Sequence, residues 1–319
     1  MALKIGIVGL PNTGKTTLFN ALVGAHQAKV ENYPFTTIEP NVGMVEVPDE
    51  RLQKIAQTMN HDVSQPAGRN HHESQGTKIV PAVIEFVDIA GLLKNAHKGE
   101  GLGNEFLSHI RSVDAILLLL RHFEDKNVPH SQPKIDPYDD LKILQTELEL
   151  ADVNKSLSLT DEQKLIEKPR LVVVNVAEKD ISKGFDFADL VICAKTEEEL
   201  LDLTPQERKE YLKELGLKEP VLDKLIQKAY QLLSLITFYT LKPDQIQAWP
   251  IKRNTPAPLA AGQVHTDMEK GFIKAEVVGY EDFVKSGDWE KSKEAGKLRT
   301  EGKDYKMQDG DVVHFLFSS

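Results

Sequence analysis

The stretch that decides the fold is Gly9-Leu10-Pro11-Asn12-Thr13-Gly14-Lys15-Thr16. It fits the pattern G-x-x-x-x-G-K-[ST], in which backbone N–H groups form a nest for phosphate oxygens at a helix N-terminus. Residues 3–8 before it form a short β-branched run that predicts a strand. Residues 15–23 after it have the apolar spacing of a helix. A glycine turn that fits the pattern by chance would lack this context, so we predict a phosphate-binding loop.

The loop assigns roles to its own side chains. We expect Lys15 to reach the β- and γ-phosphates of a nucleotide and the Thr16 hydroxyl to ligate Mg²⁺. Both therefore count as candidate catalytic residues. The full set of nucleotide-binding candidates in this part of the chain is Asn12, Thr13, Gly14, Lys15, Thr16 and Thr17.

Further along the chain, apolar runs alternate with amphipathic stretches. Residues 82–87 alternate and end at Asp88, whereas residues 115–120 and 171–174 are wholly apolar runs that end at polar residues. This pattern favours central strands of a parallel sheet, covered on both faces. Residues 103–111 and 138–156 have helical spacing. The alternation predicts an α/β fold with a mostly parallel, doubly wound sheet.

A second motif follows the strand at 82–87. Asp88 begins a D-x-x-G sequence that ends at Gly91. After a phosphate-binding loop, this motif places a carboxylate near Mg²⁺ and a glycine N–H near the γ-phosphate, so we count both as candidate catalytic residues. Asp88 alone could be a buried turn residue. Between the motifs lie Thr36 and Thr37, and we assign Thr37 as the further Mg²⁺ ligand of a segment that the triphosphate would order.

The base end of the site is predicted from two later loops. Asn175 opens an N-x-x-E sequence where guanine-binding proteins usually carry N-K-x-D, so Val176 replaces the lysine and Glu178 the aspartate. A longer carboxylate does not keep the same two-point contact with guanine, and adenine becomes an acceptable base. Cys193, Ala194 and Lys195 match the last base-contacting loop of such proteins.

Composition limits the remaining possibilities. The 319 residues carry a formal net charge of -10, which argues against non-specific coating of nucleic acid, although a local basic patch could still contact RNA. Cys193 is the single cysteine, so no internal disulfide exists. No signal peptide is recognisable, and no apolar run approaches the roughly 20 residues of a membrane span. We expect a soluble, cytoplasmic protein without membrane contact.

Two features outside the motifs complete the plan of the chain. Residues 60–77 have no periodicity, and we interpret them as an exposed loop in which His71, His72 and Glu73 lack the spacing of a zinc site. Residues 204–217 and 220–235 predict two helices, the first beginning at Thr204-Pro205. After Ile236 the pattern changes to short strands and turns, so we place a domain boundary there.

The motifs together resemble the YchF, or Obg-like ATPase, family of translation-factor-related proteins. The matching stretches are GLPNTGKTTLFNAL, NYPFTTIEPNVG, VDIAGLLKNAHKGEGLGNEFL, the N-x-x-E, AAGQVHTDMEKGFIKAEVV and GKDYKMQDGDVVHFLF. The resemblance implies a G domain over 1–236 with a helical insertion around 138–168, and a β-grasp TGS domain over 237–319. It also implies preference for ATP over GTP, slow hydrolysis and association with the ribosome, with the large subunit as the expected partner. We expect a monomer.

Several positions depart from the family pattern. Leu92 stands where related GTPases carry a water-orienting glutamine, and Leu118 where the family has a histidine proposed to be catalytic; His122 lies four residues further along that strand. The family's long helical hairpin is shortened here, because only a few residues separate Asp152 from Lys168-Pro169. Residues 60–77 resemble an insertion, and Thr36 replaces the cysteine found in many bacterial members.

These departures leave more than one function open. The first hypothesis is a ribosome-associated, ATP-preferring switch that hydrolyses ATP slowly with Mg²⁺. The second is a nucleotide-binding interaction module in which binding rather than turnover matters, which Leu92 and Leu118 favour. A small-molecule kinase shares the phosphate-binding loop, but the D-x-x-G, the N-x-x-E and the TGS-like tail argue against it. Asn12 matches an asparagine that holds K⁺ in some relatives, so K⁺ is a candidate cofactor beside Mg²⁺.

Overall fold

The computed structural model of the chain describes residues 3–28, 41–60, 77–89, 102–153, 164–243 and 245–318. It divides into two compact units. The first comprises Met1–Glu46 and Val83–Leu233, and the second comprises Val47–Ala82 and Ser234–Ser319.

The first unit is built on a six-stranded sheet. Its strands are β1 (Lys4–Val8), β2 (Val42–Glu46), β4 (Val83–Asp88), β5 (Ala115–His122), β6 (Arg170–Val176) and β7 (Leu190–Ile192). The order across the sheet is β2-β4-β1-β5-β6-β7, with β2 antiparallel to β4 and the other pairs parallel. The predicted doubly wound α/β fold is confirmed.

Helices connect these strands. They are α1 (Lys15–His26), α3 (Leu102–Ser112), α4 (Pro137–Val153), α5 (Ala194–Glu199), α6 (Pro205–Glu214) and α7 (Val221–Leu232). The apolar runs predicted as strands are buried because both sheet faces are covered: residues 115–120 of β5 are at most 1% exposed. The apolar stripe of α4 is also buried, as its spacing predicts; it consists of Leu141, Leu144, Leu148 and Ala151.

The second unit contains another six-stranded sheet, with strands β3 (Lys78–Val80), β8 (Leu235–Lys242), β9 (Gln245–Lys252), β10 (Phe272–Gly279), β11 (Arg299–Glu301) and β12 (Asp311–Phe317). Its order is β11-β10-β12-β8-β9-β3. The central strands β8 and β12 are parallel, and each has an antiparallel partner, β9 and β10 respectively. This is the arrangement that the predicted β-grasp domain requires.

Helices of the second unit complete its core. They are α2 (Glu50–Asn60), α8 (Ala257–Val264), α9 (Thr266–Lys270), α10 (Tyr280–Ser286) and α11 (Trp289–Glu294). The small residues Ala257, Ala260 and Ala261 of α8 let that helix approach the sheet, where they join a buried cluster that includes Phe238 and Phe315.

The domain plan predicted from sequence differs from the structure at one segment. The predicted change at 236 is close to the junction after Leu233, but residues 47–82 belong to the second unit rather than to the G domain. The reason is that β3 pairs in parallel with β9, and α2 contacts both α10 and β9. The second unit is therefore discontinuous in sequence.

Two other expectations concern helices. No helix among the described residues is long and apolar enough to cross a bilayer. The segment where the family hairpin is expected contains one helix, α4, and residues 154–163 that follow it lie outside the described residues. The predicted loop at 60–77 also lies outside them, apart from its two end residues.

Candidate nucleotide and magnesium site

The phosphate-binding loop joins the end of β1 to the start of α1, as its sequence predicts. Two of its residues have positive φ angles, Asn12 at 64° and Gly14 at 92°. Gly14 is required twice over, because its left-handed backbone favours glycine and a Cβ there would lie 2.5 Å from Nδ2 of Asn175. This curved backbone is the conformation that turns successive N–H groups toward a bound anion.

Lys15 is an unusually buried lysine at the first position of α1. It is 8% exposed, and its Nζ donates a 3.0 Å hydrogen bond to the carbonyl of Leu10 within the loop. Burial lowers the pKa of Lys15 to about 8, and the nearby Asp88 carboxylate opposes that shift. A buried ammonium is stabilised by a phosphate oxygen, because the negative charge replaces the hydration that the ammonium loses on burial.

The next residue meets the second motif. The Thr16 hydroxyl donates a 2.8 Å hydrogen bond to Oδ2 of Asp88 at the end of β4. β1 and β4 are parallel neighbours with Ile7 paired to Asp88, so both residues lie at the same end of the sheet. The juxtaposition expected from the two motifs is present in the fold.

These two oxygens fit a magnesium ion. Oxygen ligands at adjacent corners of an octahedral Mg²⁺ shell lie about 2.9 Å apart. The separation of 2.8 Å between the Thr16 hydroxyl and Oδ2 of Asp88 matches that edge. Thr16 and Asp88 are thus the two described residues that would hold the metal. No group of three His, Cys, Asp or Glu side chains suited to a metal occurs elsewhere among the residues that the structure describes.

Asn175 links the phosphate end of the site to the base end. It is 4% exposed at the end of β6. Its Nδ2 donates to the Thr13 carbonyl at 2.9 Å, and its Oδ1 accepts from the Ala194 backbone N–H at 3.0 Å. One buried amide thereby fixes the phosphate-binding loop against the start of α5 at Ala194.

The remaining predicted base contacts differ in exposure. Glu178 is exposed in a 3-10 turn and accepts a hydrogen bond from Tyr211 on α6. Val176 is buried in the core of the unit, as is Cys193. The Lys195 side chain is 81% exposed. Because Cys193 and Ala194 are buried, contacts from these two residues to a base would come from their backbone.

The structure also places two other predicted residues of the loop. Thr17 is partly buried in the first turn of α1. Asn12 is exposed, and its Nδ2 donates to the Pro129 carbonyl at 3.0 Å, so its Oδ1 is the atom that would ligate K⁺. Gly91 and Thr37, together with Thr36 and Leu92, lie outside the described residues.

The position where the family has a histidine is occupied by a core side chain. Leu118 is fully buried in β5, where it pairs with Val8 and belongs to the apolar cluster of the unit. His122, at the end of the same strand, accepts a hydrogen bond from Lys183 at 2.9 Å and contacts the ring of Phe185. Burial, followed by the Lys183 charge, lowers the pKa of His122.

Sequence reasoning missed one residue that supports the phosphate-binding loop. Arg121 is 1% exposed at the end of β5 and donates hydrogen bonds to the carbonyls of Asn12, Phe123 and Val128 at 3.1, 3.0 and 2.8 Å. A single arginine ending a run of leucines is the available signal, since a buried guanidinium must find several acceptors. Tyr211 was missed as well, because nothing local in α6 indicates its carboxylate partner.

This fold and site define a P-loop nucleoside triphosphatase domain of the GTPase type. The family model MMR_HSR1, described as a 50S ribosome-binding GTPase, matches residues 4–176. A second model, YchF-GTPase_C, described as a protein of unknown function, matches residues 235–318. The chain belongs to the YchF, or Obg-like ATPase, family.

Individual relatives match over their full length or nearly so. The Ribosome-binding ATPase YchF of Bacillus subtilis is 41% identical, with 100% of both chains covered. Human Obg-like ATPase 1 is 37% identical over 100% of this chain and 93% of its own length. The alignment with the B. subtilis protein runs over 381 positions, more than the 319 residues here, so that relative has segments which this chain lacks.

A solved structure supports the family assignment. The Schizosaccharomyces pombe YchF GTPase is 30% identical and superposes with a TM-score of 0.79, covering 98% of this chain and 97% of its own. The sequence-based recognition of the family is confirmed.

Proposed function

We propose that this protein is a ribosome-associated nucleotide switch that binds Mg²⁺-ATP and hydrolyses it slowly. The observation that carries the proposal is the convergence of Lys15, Thr16 and Asp88 at one end of the sheet. The curved backbone beside them supplies N–H donors for phosphate oxygens.

Each residue has a definite task in this proposal. Lys15 binds β- and γ-phosphate oxygens and compensates the charge that builds up on them during transfer. Thr16 and Asp88 hold Mg²⁺, which supplies further charge compensation when bound. Thr37 and the Gly91 N–H are proposed to complete the shell and to contact the γ-phosphate. Water is the proposed attacking group, and no described side chain is assigned as its general base.

The proposal also includes a preference for adenine over guanine. Glu178 is the single carboxylate of the N-x-x-E, and its exposure leaves it accessible to a base. Val176 is buried and has no long charged side chain, so it does not extend over a bound base as the lysine of N-K-x-D would. ATP is therefore proposed to bind more tightly than GTP. Competition of the two nucleotides in a calorimeter tests this, and much tighter binding of GTP would contradict it.

A second candidate function is a nucleotide-binding module without turnover. The observation in its favour is Leu118, which is fully buried where the family has a histidine. A leucine neither orients a water by hydrogen bonding nor moves a proton.

Single-turnover hydrolysis distinguishes the two candidates. Purified protein in excess over labelled ATP should release phosphate faster than the protein-free control, and Lys15→Ala should abolish the difference. A wild-type rate equal to the control would support the binding module. The same assay in K⁺ and in Na⁺ tests Asn12 as a K⁺ ligand, for which equal rates would be the contradicting result.

The ribosomal partner is proposed from the relatives. The full-length bacterial relatives carry the name Ribosome-binding ATPase. Co-sedimentation of the protein with purified subunits at moderate salt, with and without ATP, tests the proposal; we expect a monomer that pellets with the large subunit. Protein that stays in the supernatant at every salt concentration would exclude it.

A further inference from the structure

Tyr211 contacts Glu178 from a different part of the chain. Its hydroxyl donates a 2.5 Å hydrogen bond to Oε2 of Glu178, across 33 positions of sequence. This hydrogen bond is the main reason that the pKa of Tyr211 rises to about 12. The phenol therefore remains a neutral donor throughout the physiological pH range.

The helix that carries Tyr211 is well anchored. Thr204 caps α6 through a capping box with Glu207, and Leu212, beside the tyrosine, is buried. The Tyr211 side chain also lies near Thr196, a residue of α5 that is 1% exposed. The phenol is thus placed beside Glu178 by a helix with its own cap and its own buried contact.

The two purines differ in what they offer a carboxylate. On its pairing edge, guanine carries two adjacent donors, the N1–H and the 2-amino group, which suit two carboxylate oxygens at once. Adenine carries a single donor there, the 6-amino group, which needs one oxygen. A hydroxyl on the second oxygen takes one of its two acceptor sites and places a phenol ring beside it, which restricts the approach of a second donor from guanine, whereas adenine needs the other oxygen alone.

We propose that Tyr211 is a specificity-determining residue that selects against guanine. By taking one acceptor site of Oε2 of Glu178, it leaves Oε1 open for one donor of the base and hinders the second contact that guanine needs. The inference rests on the proposed nucleotide site, and it assigns the rejection of guanine to the Tyr211–Glu178 pair rather than to the length of Glu178 alone.

The test compares ADP, GDP and IDP by competition calorimetry on the full-length chain with Mg²⁺. Diphosphates avoid hydrolysis during the titration, and IDP differs from GDP only by lacking the 2-amino group. Wild type should bind GDP and IDP within about twofold of each other. In Tyr211→Phe, GDP should bind about tenfold more tightly than IDP, since one hydrogen bond to a charged group is gained, while ADP affinity changes little.

Three comparisons separate positioning from a structural effect. Tyr211→Leu also lacks the hydroxyl and must shift the GDP-to-IDP ratio in the same direction. Tyr305→Phe removes a comparable tyrosine–carboxylate hydrogen bond, to Asp311 in the second unit, and should leave the ratio at its wild-type value. In a Glu178→Ala background, Tyr211→Phe should have no effect on the ratio.

The outcomes distinguish this inference from the proposed function. If wild type binds none of the three nucleotides, both are overturned. If wild type binds ADP but the GDP-to-IDP ratio is unmoved in Tyr211→Phe, or moves equally without Glu178, only the role of Tyr211 is overturned.

Discussion

The hydroxyl of Thr16 and Oδ2 of Asp88 are joined by a 2.8 Å hydrogen bond across 72 positions of sequence. The pairing exists because β1 and β4 are parallel neighbours, which brings the residues after both strands to one edge of the sheet. The site therefore depends on the order of the strands in the sheet, and the contribution of each residue can be tested separately.

Removing the Thr16 hydroxyl or the negative charge of Asp88 should remove the response to Mg²⁺. In Thr16→Ala and in Asp88→Asn, we expect ATP to bind with the weaker affinity that wild type shows in excess chelator, and added Mg²⁺ to improve it by less than about threefold. Calorimetry with and without Mg²⁺ measures this. Thr58→Ala deletes a hydroxyl on α2 in the second unit and serves as the control, because it should keep the full Mg²⁺ effect.

The buried ammonium of Lys15 predicts a pH dependence of binding. Its pKa in the free protein is lowered to about 8, so above that pH the lysine is neutral before the nucleotide arrives. Phosphate binding favours the charged form, and ATP affinity should fall by up to about tenfold per pH unit above pH 8. Titrations between pH 6.5 and 9.5 check this. An equally steep fall in Lys15→Ala would show that another group is responsible.

Asn175 should contribute to both stability and binding. Asn175→Ala leaves the Thr13 carbonyl and the Ala194 N–H without their partner, and we expect a loss of about 2–4 kcal/mol in the free energy of unfolding. Urea denaturation measures the loss, and nucleotide affinity should fall as well because the phosphate-binding loop loses its support. The exposed Asn127 is a matched control, and an equal effect of Asn127→Ala would contradict the assignment.

The buried carboxyl of Glu197 should make the free energy of unfolding depend on pH. It is 1% exposed; its Oε1 accepts from the Val221 N–H at 2.8 Å, and its Oε2 has no hydrogen-bond partner among the described residues. Burial raises the pKa of this carboxyl from 4.5 to about 7. The folded protein therefore binds more protons than the unfolded chain between those values, and stability should decrease as pH rises from 4.5 to 7.

The substitution Glu197→Gln tests the direction of this pH dependence. The amide keeps an acceptor for the Val221 N–H and carries no charge, so the variant should be about 3 kcal/mol more stable than wild type at pH 8 and nearly equal to it at pH 4.5. Glu281→Gln, at an exposed side chain on α10, should change stability little at either pH. A Glu197→Gln variant that is less stable at pH 8 would contradict the account.

The sequence predicted the elements that carry strong local patterns. The runs at 115–120 and 171–174 are strands because continuous apolar residues suit a sheet covered on both faces, and the helix predicted at 103–111 is present as α3. The phosphate-binding loop was recognisable because its glycines, lysine and threonine occur at fixed spacing between a strand and a helix.

Those local patterns do not indicate which strands pair when they are far apart in the sequence. β3 has three residues and no periodicity of its own, and it exists because it pairs with β9, which is 167 positions later in the chain. For the same reason residues 47–82 were assigned to the wrong unit. The contacts of Arg121 and Tyr211 also depend on which loops the fold brings together, and neither residue has a local signature for its partner.

The measurement that tests the central claim most directly is a calorimetric titration of the wild-type chain with ATP and with GTP, in the presence and absence of Mg²⁺. We predict one site per chain, tighter binding of ATP than of GTP, stronger binding when Mg²⁺ is present, and much weaker but measurable binding in Lys15→Ala. ATP binding that is independent of both Mg²⁺ and Lys15 would contradict the placement of the nucleotide at this site.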